Sequence, residues 1–325
     1  MNRLDSKPQI GKLASDLGLK KTSKPVSQIV RLARKKIQKV ASKYNCKSLQ
    51  ALLRAAAGDL GTVFREIHSD ADLDHLVTEY VAKGETIFAN LPNELRKNDY
   101  GITIKRQRAQ SWEPRFVSVI DCRGDKSFRA YFTKWHELAH LLTMTPQMRL
   151  VFRRTHGAAL QDPEEALMDV IAGDLGFFSE LLPIDGTSDV SFENIDRIRS
   201  EFCPEASYQA SLIGIVKALP RPCILVHADL AHKKGQTHRE PLTLRAVQVT
   251  VNQSARDAGL QLHRRWRIPQ NSVIHEVHRN QRYGEAAENL DWWTTSDGGA
   301  LPPCPVIVKA RPLFGATVAL IIPID

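Results

Sequence analysis

The run Tyr131-Phe-Thr-Lys-Trp-His-Glu-Leu-Ala-His-Leu-Leu142 holds an H-E-x-x-H pentapeptide, His136 to His140, in an otherwise apolar segment. On a helix, positions i and i+4 share a face, one turn apart. His136 and His140 therefore aim two imidazoles at one point, at a separation that a zinc ion bridges. Glu137 is displaced around the helix but stays close to that point. It is placed as a general base toward water rather than as a ligand. Tyr131, Phe132, Trp135, Leu138, Ala139, Leu141 and Leu142 supply an apolar body, with no Gly or Pro before Pro146. The spacing predicts a buried helix.

The pentapeptide alone is a weak signal, because most helical histidines are structural. A catalytic zinc takes three protein ligands and keeps one position open. The segment Asp162-Pro-Glu-Glu-Ala-Leu-Met-Asp-Val-Ile-Ala172 offers the third. Pro163 suits a helix start, and Glu165 and Asp169 are again four apart. Glu165 completes a His2Glu set. Asp169 is placed to accept the free N–H of a ligating imidazole and so fix its tautomer. The competing reading makes Glu164 and Glu165 ordinary first-turn acids facing the helix dipole. The joint occurrence of H-E-x-x-H and E-x-x-x-D is rarer than either alone and favours the ligand reading.

These two runs, Phe132-Thr-Lys-Trp-His-Glu-Leu-Ala-His-Leu-Leu142 and Glu165-Ala-Leu-Met-Asp-Val-Ile-Ala172, resemble the ImmA/IrrE family of bacterial metallopeptidases. The resemblance makes His136 and His140 zinc ligands, Glu137 the catalytic glutamate, Glu165 the third ligand and Asp169 the Asp/Asn position after it. Three departures stand out. Lys134-Trp135 replaces a small apolar pair, Met168 stands where Cys is common, and Gly176-Phe177-Phe178 replaces a Leu-Met-Pro ending. The resemblance implies a zincin-like core with a small sheet against the metal helix. It also implies Zn²⁺ as cofactor and, as substrate, a helix-turn-helix repressor cut in trans during a stress or mobile-element response. A His2Glu set also accepts Mn²⁺ or Fe²⁺.

A chain of 325 residues suits two or three domains. No apolar stretch reaches membrane-spanning length, and no signal-peptide core follows Met1. A cytoplasmic address without membrane contact is expected. Five scattered cysteines with no C-x-x-C pair exclude a disulfide framework and a Cys-rich zinc site. The net charge of +9 is concentrated at one end: residues 1–50 hold thirteen Lys/Arg against Asp5 and Asp16.

The expected architecture is α+β in four parts: a basic helical region over 1–95, the metallopeptidase core over 96–185, a helix-turn-helix-like hairpin over 186–220 and a C-terminal α+β domain over 221–325. The first part reads as short helix Ile10–Leu19, amphipathic basic helix Val26–Tyr44, then helical segments Ser48–Ala57, Thr62–His68 and Leu73–Lys83, the last capped near Ser69. The basic helix is either a solvated face or an electrostatic footprint for nucleic acid. Tyr100–Lys105 and Arg115–Asp121 read as strands. Between the ligand helices, His156, and before them Tyr131, are candidate donors to an oxyanion. Ser191–Phe202 and Ser207–Leu219 form the hairpin, whose low charge favours packing over DNA reading. Beyond Pro220, six segments read as strands: Pro222–His227, Leu242–Val251, Leu260–Ile268, Ser272–His278, Cys304–Lys309 and Ala316–Pro323. By position this domain is similar to the GAF-like sensor of IrrE-type proteins. On a strand, His275 and His278 fall on opposite faces, so no second metal site is expected there.

The functional expectation is a cytoplasmic zinc endopeptidase. Its rivals are a non-catalytic regulatory or antitoxin-type binding protein on the same fold, and a DNA-binding regulator working through the basic arm.

Overall fold

Two prolines set the N-terminal helices. Pro8 and Pro25 occupy the first turns of α1 (Pro8–Asp16) and α2 (Pro25–Lys43), where a missing N–H costs no hydrogen bond. Asp5 reaches forward to accept from the Val26 N–H at 3.1 Å, giving the α2 N-terminus the anion that its dipole favours. Val26, Ile29, Ala33, Ile37 and Val40 form the buried stripe of α2 at helical spacing. Ser48 caps α3 (Leu49–Asp59), and Gly61, at φ +68°, turns the chain out of it.

The computed structural model describes residues 4–95, 99–145, 151–155, 162–186, 189–233, 241–295 and 298–324, with the backbone alone described over 151–155. Among the described residues the chain is α+β, with eleven α-helices and two sheets. It divides into two units: Met1–Leu182 with Phe202–Ala210, and Pro183–Glu201 with Ser211–Asp325. Residues 1–95 thus share a unit with residues 96–182.

The first unit corrects one expectation directly. Thr62–His68 is not helical; Thr62–Ile67 is strand β1. It runs parallel to β3 (Phe116–Asp121), which pairs antiparallel with β2 (Asp99–Lys105). β-branched Thr62, Val63 and Ile67 and aromatic Phe64 suit a pleated surface. The decisive partner, β3, is more than fifty residues away and invisible locally. β4 (Val151–Thr155), an unforeseen strand, completes the order β1-β3-β2-β4. α4 (Asp70–Ala82) starts on a capping box between Ser69 and Asp72, and α5 (Leu91–Glu94) is a single turn.

The sheet is covered on both faces, so every residue of β3 is buried. Ile102, Ile104, Val117 and Val119 pack with Leu73, Leu76 and Tyr80 of α4. Alternation sends Gly101, Thr103 and Ser118 to the opposite face, toward α6 (Ala130–Leu142). Ten of the thirteen residues in α6 are buried. α7 (Pro163–Leu175) starts at Pro163 behind an Asp162 cap that accepts from the Glu164 N–H at 2.8 Å.

The second unit holds α8 (Phe192–Phe202, whose last residue belongs to the first unit), most of α9 (Tyr208–Ala218) and a five-stranded antiparallel sheet. The sheet comprises β5 (Ile224–Ala231), β6 (Thr243–Val251), β7 (Gly284–Asn289), β8 (Pro305–Leu313) and β9 (Ala316–Pro323), in the order β6-β5-β9-β8-β7. α10 (Gln253–Asp257) and α11 (Val273–Asn280) lie between β6 and β7 in the chain. Two strand expectations fail here. Leu260–Ile268 makes only one bridge, Arg245 with Arg267, around a turn. Ser272–His278 is helix α11, because Ser272 caps the Ile274 N–H and Val273, Ile274 and Val277 bury at helical spacing. His275 and His278 are therefore three apart on a helix, not on opposite faces of a strand. β7 went unrecognised because Gly-Glu-Ala-Ala-Glu-Asn lacks β-branched residues; pairing with β8 makes it a strand.

Arg311 of β8 grips Asp196 of α8 with two hydrogen bonds, at 2.7 and 2.9 Å, and stacks over Phe192 at 4.2 Å. Asn252 ties the unit together from a buried position. Its Oδ1 accepts from Ala255 N and Cys223 N, and its Nδ2 donates to the Leu219 and Arg221 carbonyls. Asn252→Ala strands four backbone groups, and about 3 kcal/mol of stability should go with them. Urea denaturation followed by circular dichroism checks this; a loss below about 0.5 kcal/mol contradicts the assignment.

Candidate metal centre

α6 and α7 run antiparallel, and three pairs of side-chain contacts show the register. Tyr131 Oη donates to the Gly176 carbonyl, His136 meets Asp169, and His140 meets Glu165. Gly176 permits the approach: a Cβ there would stand 2.9 Å from the Ala172 carbonyl oxygen and 3.2 Å from the Trp135 ring. Thr143 Oγ1 adds a contact to Met168 Sδ at 3.4 Å. Gly176 and Met168 serve the helix contact, and Lys134 pairs at 2.8 Å with Glu66, on the β1 side of α6.

This register brings His136, His140 and Glu165 together. His136 Nε2 is 3.1 Å from Glu165 Oε2, His140 Nε2 is 3.2 Å from Glu165 Oε1, and the two Nε2 atoms are 3.2 Å apart. Tetrahedral ligands bonded at 2.0–2.1 Å stand about 3.3 Å from one another. The Nε2–Nε2 separation and the two nitrogen–oxygen contacts, made to different oxygens of Glu165, are each close to that edge length. Asp169 Oδ1 sits 2.9 Å from His136 Nδ1, an arrangement that would keep the proton on Nδ1 and free the Nε2 lone pair if a metal displaced the Nε2 hydrogen bond to Glu165. Burial pushes the Glu165 carboxyl up, but hydrogen bonds and charge from His136 and His140 more than reverse this and hold it at about 2. Glu165 is therefore ionised at neutral pH, as a ligand must be.

Glu137 faces the sheet. It is fully buried, and Thr103 Oγ1 donates to its Oε2 at 2.6 Å. Behind Thr103, Ser118 Oγ lies at 2.7 Å and Thr62 Oγ1 at a further 2.9 Å. Three hydroxyls from three strands thus form one chain ending on the carboxylate. Glu137 Oε1 has no hydrogen-bond partner among the described residues. Gly101 makes room for it: a Cβ there would stand 3.1 Å from Oε1 and 2.7 Å from the Thr133 methyl. Burial raises the Glu137 carboxyl above its ordinary value, against the opposing pull of His140, His136 and Thr103.

The start of α6 is set by Asp121, at the end of β3. Burial would raise its carboxyl, but Arg123 and Lys126, with the Arg123 N–H, hold it below the ordinary carboxylate value. At the other end, Lys36 of α2 donates to the Leu142 carbonyl, placing a cation at the helix C-terminus. The basic helix therefore spends part of its charge on packing. Arg34 does likewise, bonding Asp174, Ser179 and Glu180.

The hydroxyl chain, Gly101 and Lys36 carry no local motif. Their one signal is the strand alternation that puts Thr103 opposite Ile102 and Ile104. Of the two candidate oxyanion donors, Tyr131 is occupied by Gly176, and His156 lies outside the described residues. Glu66, His68 and Cys122 also cluster within 4.8 Å. There Lys134 holds Glu66, and burial and the Glu66 charge push the Cys122 thiol up to about 12, so the sulfur stays protonated. That set is not prepared for a metal. No helix among the described residues is long and apolar enough to cross a membrane. No protein-family model matches the chain, and no curated protein does.

Thr103→Val keeps the shape but removes the donor to Glu137. It should cost about 1–3 kcal/mol and lower any hydrolytic rate while metal stoichiometry stays unchanged, and Thr103→Ser should restore both. Loss of metal in the valine variant would contradict a role through Glu137. Asp121, whose carboxyl is lowered, contributes stability above about pH 4 that disappears as pH falls through its depressed value. The stability gap between the wild type and Asp121→Asn should therefore close on acidification in a urea series. A gap independent of pH down to about 2 contradicts it.

Proposed function

We propose that this chain is a metal-dependent endopeptidase acting through His136, His140, Glu165 and Glu137. The observation that carries the reading is the convergence of the two Nε2 atoms and the Glu165 carboxylate, each of whose oxygens meets one imidazole at 3.1–3.2 Å, beside a buried carboxylate with one open oxygen. A bound Zn²⁺ would supply Lewis acidity at the scissile carbonyl and bring the pKa of water toward 7. Mn²⁺ or Fe²⁺ suits the same donors. Glu137 Oε1 takes the proton from the attacking water, while Thr103 keeps Oε2 fixed. A carboxyl raised by burial then passes that proton to the leaving amide nitrogen. Burial of His136 and Glu137 shields the exchange from bulk water.

The resemblance to ImmA/IrrE proteins supports a cytoplasmic setting and a helix-turn-helix repressor as substrate, in a stress or mobile-element response. A five-stranded antiparallel sheet with helices beside it supports the GAF-like reading of the second unit. A contact-only regulator has no use for the open oxygen of Glu137 or the hydroxyl chain behind it.

Metal analysis and a cleavage assay on a candidate repressor test the proposal. Glu137→Gln should keep wild-type metal content and lose about 10²–10⁴-fold in rate. Glu165→Ala should lose metal and activity together. Unimpaired cleavage by Glu137→Gln, or no bound metal in the wild type, ends the reading.

A further inference from the structure

A second polar site lies in the C-terminal unit, beside β6. β6 is an edge strand, and the chain returns along it after α10. Trp266 N bonds the His263 carbonyl, closing a turn in which Arg265 takes φ +72°, a conformation most side chains avoid. Arg265 N bonds the Ala246 carbonyl at 2.7 Å, Ala246 N bonds the Trp266 carbonyl at 2.9 Å, and Ile268 N bonds the Leu244 carbonyl at 3.0 Å. These bonds hold Arg264, Arg265 and Arg267 beside Arg245 of β6. These four arginines, with Lys233, line a cavity of about 620 Å³, within the size range of small-ligand sites; the Arg265 guanidinium donates to the His232 carbonyl at 3.2 Å.

Arg245 is the telling residue. It is only 8% exposed. One terminal N–H donates to the Arg265 carbonyl at 2.9 Å, but its Nε has no partner among the described residues. Burial and the charges of Arg267 and Arg265 all disfavour its cation. No described carboxylate lines the cavity. A buried guanidinium with an idle donor, surrounded by like charge, is an arrangement that an anion would relieve. Guanidinium forks match phosphate oxygens in pairs. A concave site with its central cation buried fits a compact anion, whereas a nucleic-acid backbone is met by exposed charge along a surface.

We infer that this cavity binds a small ligand bearing a di- or polyphosphate group, held by Arg245 at its floor and by Arg264 and Arg267 at its rim. The inference is independent of the peptidase reading. Inorganic pyrophosphate titrated into the full-length protein, at ionic strength held constant with chloride, should give saturable one-site binding in calorimetry. Arg245→Met should abolish it. The exposed rim variants Arg264→Gln and Arg267→Gln, which leave the core intact, should each weaken it about tenfold or more. Lys39→Gln, on α2 and not among the residues lining the cavity, should leave it unchanged. No saturable binding at millimolar pyrophosphate, or rim variants that bind like the wild type, would overturn the inference. So would duplex DNA binding lost in Arg264→Gln without any pyrophosphate binding, since the surface would then be a nucleic-acid contact.

Discussion

Antiparallel packing of α6 on α7 is the contact from which the candidate metal centre inherits its geometry. Partner numbers fall on one helix as they rise on the other: Tyr131 with Gly176, His136 with Asp169, His140 with Glu165. A shift of one residue would rotate a ligand by about 100° around its helix and separate the donors. The absence of a side chain at Gly176 and the buried Tyr131 hydrogen bond oppose such a shift. The ligands need no strain of their own, because the helix pair carries the constraint for all of them.

The sheet acts on the other side of α6. Strand alternation sends apolar residues of β2 and β3 to the α4 core and leaves Gly101, Thr103 and Ser118 for Glu137. One helix therefore has two polar faces in a buried setting, one toward α7 and one toward the sheet. Buried polar groups are costly unless satisfied. Here all are hydrogen-bonded or clustered with the ligands except Glu137 Oε1 and the Trp135 Nε1 position. α2 braces the pair from outside with Arg34 and Lys36, while Arg31, Lys35 and Lys39 of the same helix remain exposed. A charge count over residues 1–50 could not separate the bracing cations from the exposed ones. Only the packing does.

The convergence of His136, His140 and Glu165 was legible because its information is local. His136 and His140 sit one turn apart, as do Glu165 and Asp169, and helix geometry converts each spacing into a shared face. Helices with caps were equally readable, as Ser69 and Pro163 illustrate. The failures occur where a distant partner decides. Thr62–Ile67 has helix-compatible neighbours but is captured by β3, and Gly284–Asn289 has helix-forming composition but is captured by β8. Val273, His275 and Val277 alternate like a strand, yet burial follows Val273, Ile274 and Val277. The hydroxyl chain behind Glu137 joins three strands of different sequence position, so no window of sequence contains it.

Two carboxylates of the candidate site are pushed in opposite directions, and the direction suits each to its part in the proposed reaction. Glu165 sits between two imidazoles, whose hydrogen bonds and charge overcome its burial and bring it to about 2. Glu137 lies a few ångströms into the sheet side, where burial dominates and the Thr103 hydroxyl offsets it incompletely. A strongly acidic carboxyl is a steady ligand and a poor proton carrier, since it will not hold a proton near neutral pH. A carboxyl raised by burial is the reverse. In the proposed reaction, environment alone would thus divide two chemically equivalent side chains into a fixed anion and a proton carrier. An exchange of their surroundings would exchange their proposed roles, which is why the groups that hold the site in place, Asp169 against His136 and Thr103 against Glu137, matter as much as the candidate donors themselves.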